Sequence, residues 1–263
     1  MTILDKIIED KKREVALKKS IISAKQLEVS DLFGKRTISL SESIKNSSGI
    51  IAEHKRRSPS KQTINSSFSV EEVVKGYEKF GASGISVLTD TKYFGGSLED
   101  LQLARASVNT PLLRKEFIID KYQILEAKSN GADAILLIAS VLTRSEIKQL
   151  SEFAQALSLE VLLEIHNQEE LEKALMPSLD LIGVNNRNLK NFEISLKNSF
   201  DLAEMIPNEF LKISESGINS PQDVLVLKEY GFNGFLIGET FMKTDNPGKY
   251  LGQFIEDLDL KNS

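Results

Sequence analysis

Residues 49–62 read GIIAEHKRRSPSKQ. A short aliphatic run ends there in Glu53, His54 and Lys55, and the connection that follows, 54–62, is basic and holds no glycine. Similar β-branched or aliphatic runs recur at 84–88, 111–115, 134–138, 161–164, 181–184, 211–214 and 234–237. Between them lie amphipathic stretches of helical period, among them 70–80, 98–106, 121–129, 144–157 and 221–230. Ser69, Thr143 and the pair Ser220-Pro221 stand where helix starts are expected. Gly81, Gly131 and Gly231 stand where helices should end. Strand–helix alternation implies parallel strands joined by crossover helices.

Eight such units can form an open doubly wound sheet or close on themselves. An open sheet places a glycine-rich nucleotide loop after its first strand, and 54–62 has none. No GxGxxG or GxxxxGK[ST] occurs at a strand–helix junction either. The pattern therefore predicts an α/β fold, a closed (β/α)₈ barrel. The whole of 1–263 is read as one domain, with an N-terminal helical extension over 1–45 and the barrel over 46–263. A length of 263 residues suits one barrel. In the extension, Ile3, Leu4, Ile7 and Ile8 recur at helical spacing, and a second amphipathic segment covers 39–45.

Composition narrows the function. A net charge of −5 argues against general binding to nucleic acid or to acidic membrane surfaces. The chain has no cysteine and only two histidines, His54 and His166, so thiolate chemistry is excluded and neither a metal nor a cofactor is expected. Asp5, Glu9 and Asp10 interrupt the apolar positions of the N-terminus, unlike a signal peptide. The longest apolar stretch, 134–142, is far short of the roughly 20 residues that span a bilayer. A cytoplasmic protein is expected, a monomer or at most a weak homo-oligomer.

In a barrel enzyme, function gathers where strands end. The ends here are polar: Glu53-His54-Lys55, Arg114-Lys115-Glu116-Phe117, Glu164-Ile165-His166, Asn185-Asn186-Arg187, Ser214-Glu215-Ser216-Gly217 and Gly238-Glu239. Alternation along a strand puts Glu53 with Lys55, Glu164 with His166, and Asn185 with Arg187 on shared faces. His54 points the other way and reads as structural. One such pair is ordinarily a solvated cap, whereas five strand ends bearing complementary groups point to a site. The glycine turns after strands seven and eight sit where barrels bind phosphate through backbone N–H groups. Acid–base chemistry on a phosphorylated small molecule follows from this set.

The stretches IIAEHKRRSPSK, SVLTDTKYFGGSLEDL, PLLRKEFIID, EVLLEIHN, IGVNNRNLKNFE, ISESGI and FLIGETFMK, in this order, resemble the indole-3-glycerol phosphate synthase family of tryptophan biosynthesis. The resemblance implies ring closure, decarboxylation and dehydration of 1-(2-carboxyphenylamino)-1-deoxyribulose 5-phosphate, without a cofactor. It assigns Lys115 as the acid of ring closure and Glu164 as the base of dehydration. Lys55 holds substrate anions or donates a proton, and which lysine serves which step stays open. Glu53, Asn185, Glu215 and Ser216 would complete the catalytic shell. Ser58 and Arg187 would contact anionic groups, and Phe94 and Phe117 would wall the aromatic ring. Gly217, Gly238 and Glu239 would cradle phosphate.

Three departures accompany the resemblance: Glu116 where aspartate is common, Gln62 where glycine is common in loop one, and His54 at a position ordinarily apolar. Phosphoribosylanthranilate isomerase, a related barrel, relies on a cysteine–aspartate pair that this chain lacks. A non-catalytic phosphate-binding scaffold is the other alternative, and intact Lys115 and Glu164 speak against it.

Overall fold

The computed structural model describes residues 2–59, 61–65, 67–188 and 192–262. Ser60 and residues 189–191, which fall within two of the stretches quoted above, lie outside the described residues. The N-terminal segment forms α1 (Ile3–Ile21), α2 (Ala24–Glu28) and α3 (Leu40–Asn46). Then β1 (Ile50–His54), α4 (Val70–Lys79), β2 (Gly84–Leu88), a short α5 (Thr91–Phe94) and α6 (Leu98–Ser107) follow. The middle holds β3 (Leu112–Lys115), α7 (Lys121–Ser129), β4 (Ala134–Ile138), α8 (Arg144–Ala156), β5 (Glu160–Ile165) and α9 (Gln168–Ala174). The last quarter holds β6 (Leu181–Asn185), α10 (Lys197–Ala203), β7 (Leu211–Glu215), α11 (Pro221–Glu229) and β8 (Gly234–Ile237). Short α12 (Glu239–Met242) and long α13 (Pro247–Asn262) complete it.

All eight strands pair in parallel with their chain neighbours, and β8 returns to β1, with Ile50 opposite Phe235, so the sheet is a closed barrel. The eight runs read from the sequence are these strands to within a residue at either end. The expected caps are also present: Ser69, Thr143 and Ser220 each accept the backbone N–H three residues on, inside a reciprocal capping box. Gly81, Gly131 and Gly231 take φ of +89°, +84° and +83°, the left-handed conformation that ends a helix cheaply only at glycine.

Alternation sorts side chains into two cores. Ile50, Ala52, Ile85, Leu137 and Val161 pack outward under the helices, whereas Ile51, Leu113, Leu136, Leu162 and Leu236 fill the barrel. The same parity brings Glu53, Lys115, Glu164, Asn185 and Glu215 inward at the strand ends.

The N-terminal segment is helical in part only, because it has to travel from one end of the barrel to the other. α1 lies over the mouth formed by the strand ends, where Ile3, Leu4 and Ile7 line a cavity. Residues 36–39 then run without helix along the barrel, and Ile38 donates its N–H to Asp133 at 2.8 Å. α3 plugs the opposite end. Its Leu40 and Ile44 join the interior core, and Glu160 at the start of β5 accepts the N–H of Ser41 at 2.8 Å. Gly84 keeps that end open, since a Cβ there would stand 2.3 Å from Leu40.

Candidate active site

The mouth of the barrel holds a cavity of about 420 Å³. All fourteen sequence-predicted site residues line it: Glu53, Lys55, Ser58, Phe94, Lys115, Phe117, Glu164, Asn185, Arg187, Glu215, Ser216, Gly217, Gly238 and Glu239.

Its centre is a lattice of opposite charges. Lys115 Nζ lies 3.2 Å from Glu164 Oε2 and in closer contact with Glu215 Oε2. Lys55 Nζ pairs with Glu53 Oε1 at 2.7 Å. Burial disfavours the ammonium of Lys115, but Glu215, Glu164 and Glu53 outweigh it and raise its pKa well above the ordinary lysine value. Of the two ways a lysine can serve as an acid, lowered to near neutrality or fully charged, the site favours the charged one. Burial also raises Glu164, yet Lys115, His166 and a hydrogen bond from Asn185 prevail and hold it below the usual carboxylate range. Burial pushes Glu215 up to about 7; Lys115 pulls it down and Glu164 pushes it further up. Buried Glu215 Oε1 has no hydrogen-bond partner among the described residues.

Two glycines make room for these carboxylates. A Cβ at Gly183 would stand 2.2 Å from Glu215 Oε1, and one at Gly238 would stand 2.5 Å from Glu53 Oε1. Gly238 was expected for its backbone; its lack of a side chain proves equally necessary. Gly183 was missed, because a glycine inside a strand does not announce which neighbour needs the space. Gly183→Ala should drive Glu215 off Lys115 and lower kcat by about 100-fold, given how steeply rate falls with misplacement. Steady-state kinetics on the folded variant would check this, and a wild-type kcat would refute it.

The loops behave as their residues suggest. Asn186 faces outward and donates to Ser214 Oγ at 3.0 Å and to the Ser216 carbonyl at 3.1 Å. It braces a turn in which Ser216 and Gly217 have φ of +66° and +84°. Loop one closes tightly without a glycine: Ser58 and Lys61 exchange backbone hydrogen bonds of 2.9 and 3.0 Å. Lys61, another residue not anticipated, reaches Glu239 Oε1 at 2.9 Å, ties loop one to loop eight, and lowers the Glu239 pKa through that hydrogen bond. Phe94 and Phe117 pack against each other with ring centroids 5.9 Å apart and planes tilted by 42°. Arg114 does not line the cavity, whereas Glu116 borders it and pairs with Arg114 at 3.7 Å; His54 is buried in the outer layer, pushed down to about 4 by burial and by Arg56.

The largest surprise is Lys11 of α1. It is 2% exposed and pairs with Asp90 at 3.0 Å, Glu116 at 3.1 Å and Glu14 at 2.7 Å. Asp90 in turn caps α5, which carries Phe94, and Glu116 precedes Phe117. One buried ammonium thus fastens α1 to both loops of the aromatic wall.

A barrel whose mouth gathers buried lysine–carboxylate pairs around an aromatic-walled cavity defines an acid–base enzyme of the (β/α)₈ class. The chain belongs to the indole-3-glycerol phosphate synthase family, whose model matches residues 4–254. An indole-3-glycerol phosphate synthase from Bacteroides thetaiotaomicron is 49% identical over 261 residues, covering 97% of this chain and 98% of the relative. One from Burkholderia ambifaria is 42% identical over 255 residues, covering 95% and 98%. Among solved structures, a tryptophan synthase alpha-subunit from Pyrococcus furiosus superposes with a TM-score of 0.60 at 15% identity, over 81% of this chain and 98% of that one, a likeness of fold. The activity is that of a carboxy-lyase of tryptophan biosynthesis acting on a phosphorylated small molecule. No helix among the described residues is long and apolar enough to cross a membrane.

Proposed function

We propose that Lys115 and Glu164 carry the acid–base steps that turn 1-(2-carboxyphenylamino)-1-deoxyribulose 5-phosphate into indole-3-glycerol phosphate. The observation that carries this reading is the charged Lys115 held between Glu164 and Glu215 beside the cavity. As the aromatic carbon attacks the substrate carbonyl, negative charge grows on its oxygen. Lys115 is placed to meet that charge and deliver a proton. Carbon dioxide then leaves and aromaticity returns. In dehydration Glu164, kept anionic, takes the ring proton. Lys55, paired with Glu53 at 2.7 Å, gives a proton to the departing hydroxyl.

The remaining residues bind and orient. Glu215 and Asn185 hold Lys115 and Glu164 and offer acceptors to substrate hydroxyls, with Ser216 beside them. Phe94 and Phe117, with Ile3, Leu4 and Ile7 above, enclose the anthranilate ring and exclude water, which strengthens the charge interactions. Ser58 and Arg187 take the carboxylate, and Gly217, Gly238 and Glu239 border the phosphate. In this reading residues 1–263 work as one domain, since α1 supplies part of the cavity, in a cytoplasmic protein that is a monomer or at most a weak homo-oligomer.

The purified protein should generate indole fluorescence from this substrate without added metal. Absence of signal at high enzyme concentration would overturn the assignment.

A further inference from the structure

His166 follows β5 by one residue and shares the inward parity of Glu164, yet it stands behind Glu164 and not among the residues lining the cavity. Its Nδ1 lies 3.2 Å from Glu170 Oε2, and its Nε2 lies 3.4 Å from Glu164 Oε1. Glu170, on α9, is itself fixed. Its Oε2 accepts the backbone N–H of His166 at 2.8 Å, and its Oε1 accepts the Asn167 amide at 3.1 Å. Nε2 is buried and makes no hydrogen bond to any described group, so its approach to Glu164 is one of charge and not of a formed hydrogen bond.

A neutral imidazole has one N–H and one bare lone pair, so it suits only one of two flanking carboxylates. The imidazolium cation suits both. The charged groups that face the ring are Glu164 on β5, Glu170 on α9 and Glu215 on β7, with Lys115 on the far side of Glu164. Burial alone pulls the ring pKa down, but the Glu170 hydrogen bond and the three carboxylates prevail and raise it.

We propose that His166 is a positioning residue: clamped by Glu170, it presents a cation to the back of Glu164 and keeps that carboxylate ionised and aimed at the cavity. The inference rests on the reading of Glu164 as the base of dehydration. Its consequence has a definite sign. A neighbouring cation favours the ionised carboxylate, so loss of the cation raises the Glu164 pKa and moves the acid limb of kcat/KM to higher pH.

The chain has two histidines, and buried His54 lies far below the ordinary range, so histidine-selective isotope labelling gives two NMR titrations that are easily told apart. In the unmodified protein His166 should titrate with a midpoint above 6.5, the ordinary value, and Glu164→Gln should lower that midpoint. A midpoint at or below the ordinary value that Glu164→Gln leaves unmoved would overturn the proposal. In kinetics, His166→Gln should lower kcat/KM about tenfold near about pH 5.5 and by less than about threefold near about pH 8. An equal loss at both would mark a merely structural role and also overturn it. If Glu164→Gln keeps the wild-type rate, the assignment of the base falls, a failure distinct from the NMR result, which reads the pairing alone.

Discussion

Replacing Lys115 with alanine is expected to lower kcat by about 10²–10⁴-fold, the range typical of a lost general acid. Two effects act together. The proton that meets the developing oxyanion is gone, and Glu164 loses the main charge that keeps it ionised. With the ammonium removed, Glu164 and Glu215 face each other in a buried site, and one of them takes up a proton. The base of the second step is thus weakened along with the acid of the first. Binding rests on the aromatic wall and the glycine turns, which are untouched, so product affinity should change little. Steady-state kinetics with a parallel product titration would check both halves. Unchanged turnover would show that the acid is misassigned.

Lys11→Met is expected to destabilise the fold by about 3–5 kcal/mol, the cost of stranding one side of a buried ion pair. Methionine fills much the same space, so the loss is electrostatic. Asp90 and Glu116, 3% and 1% exposed in their side chains, would lose the ammonium, and of its cations Glu116 would keep only Arg114, at 3.7 Å. Urea or thermal unfolding would measure the loss, and a change under about 1 kcal/mol would contradict the account. Adding Glu116→Gln should recover part of it, because one of the two carboxylates that lose Lys11 is then neutral. KM should rise with the loosening of α1, Phe94 and Phe117.

Much of this was legible in the sequence because a barrel strand writes its orientation in every second residue. Alternation within each strand sets Lys115 apart from Arg114 and Asn185 apart from Asn186. What escaped depends on partners far away in the chain. Lys11 sits four residues from Ile7 and four from Val15, and all three are buried. Its place on the apolar stripe was therefore visible, but nothing local said that Asp90 and Glu116 would meet it. Gly183 looks like any strand glycine until Glu215 is placed across from it. Lys61 and Glu239 are joined only by the approach of two loops. The helical reading of residues 1–45 failed between 29 and 39, where local turns are followed by an extended stretch whose Thr37 and Ile38 bond to the barrel wall.

The placement of α1 and α3 at opposite ends of the barrel bears on the order in which the molecule is made. Leu40 and Ile44 leave the ribosome before any strand does, yet the ring they plug exists only after β8 has paired with β1. Ile44 packs close to Gly234 on that last strand, so its burial waits on nearly the whole chain. Contacts of such long sequence separation form late and slowly. A nascent chain with seven strands therefore displays two apolar side chains and an open sheet edge at once, the combination most open to misassociation. Ring closure and plugging are one event that waits on β8, so a segment translated ahead of every strand is among the last to find its place.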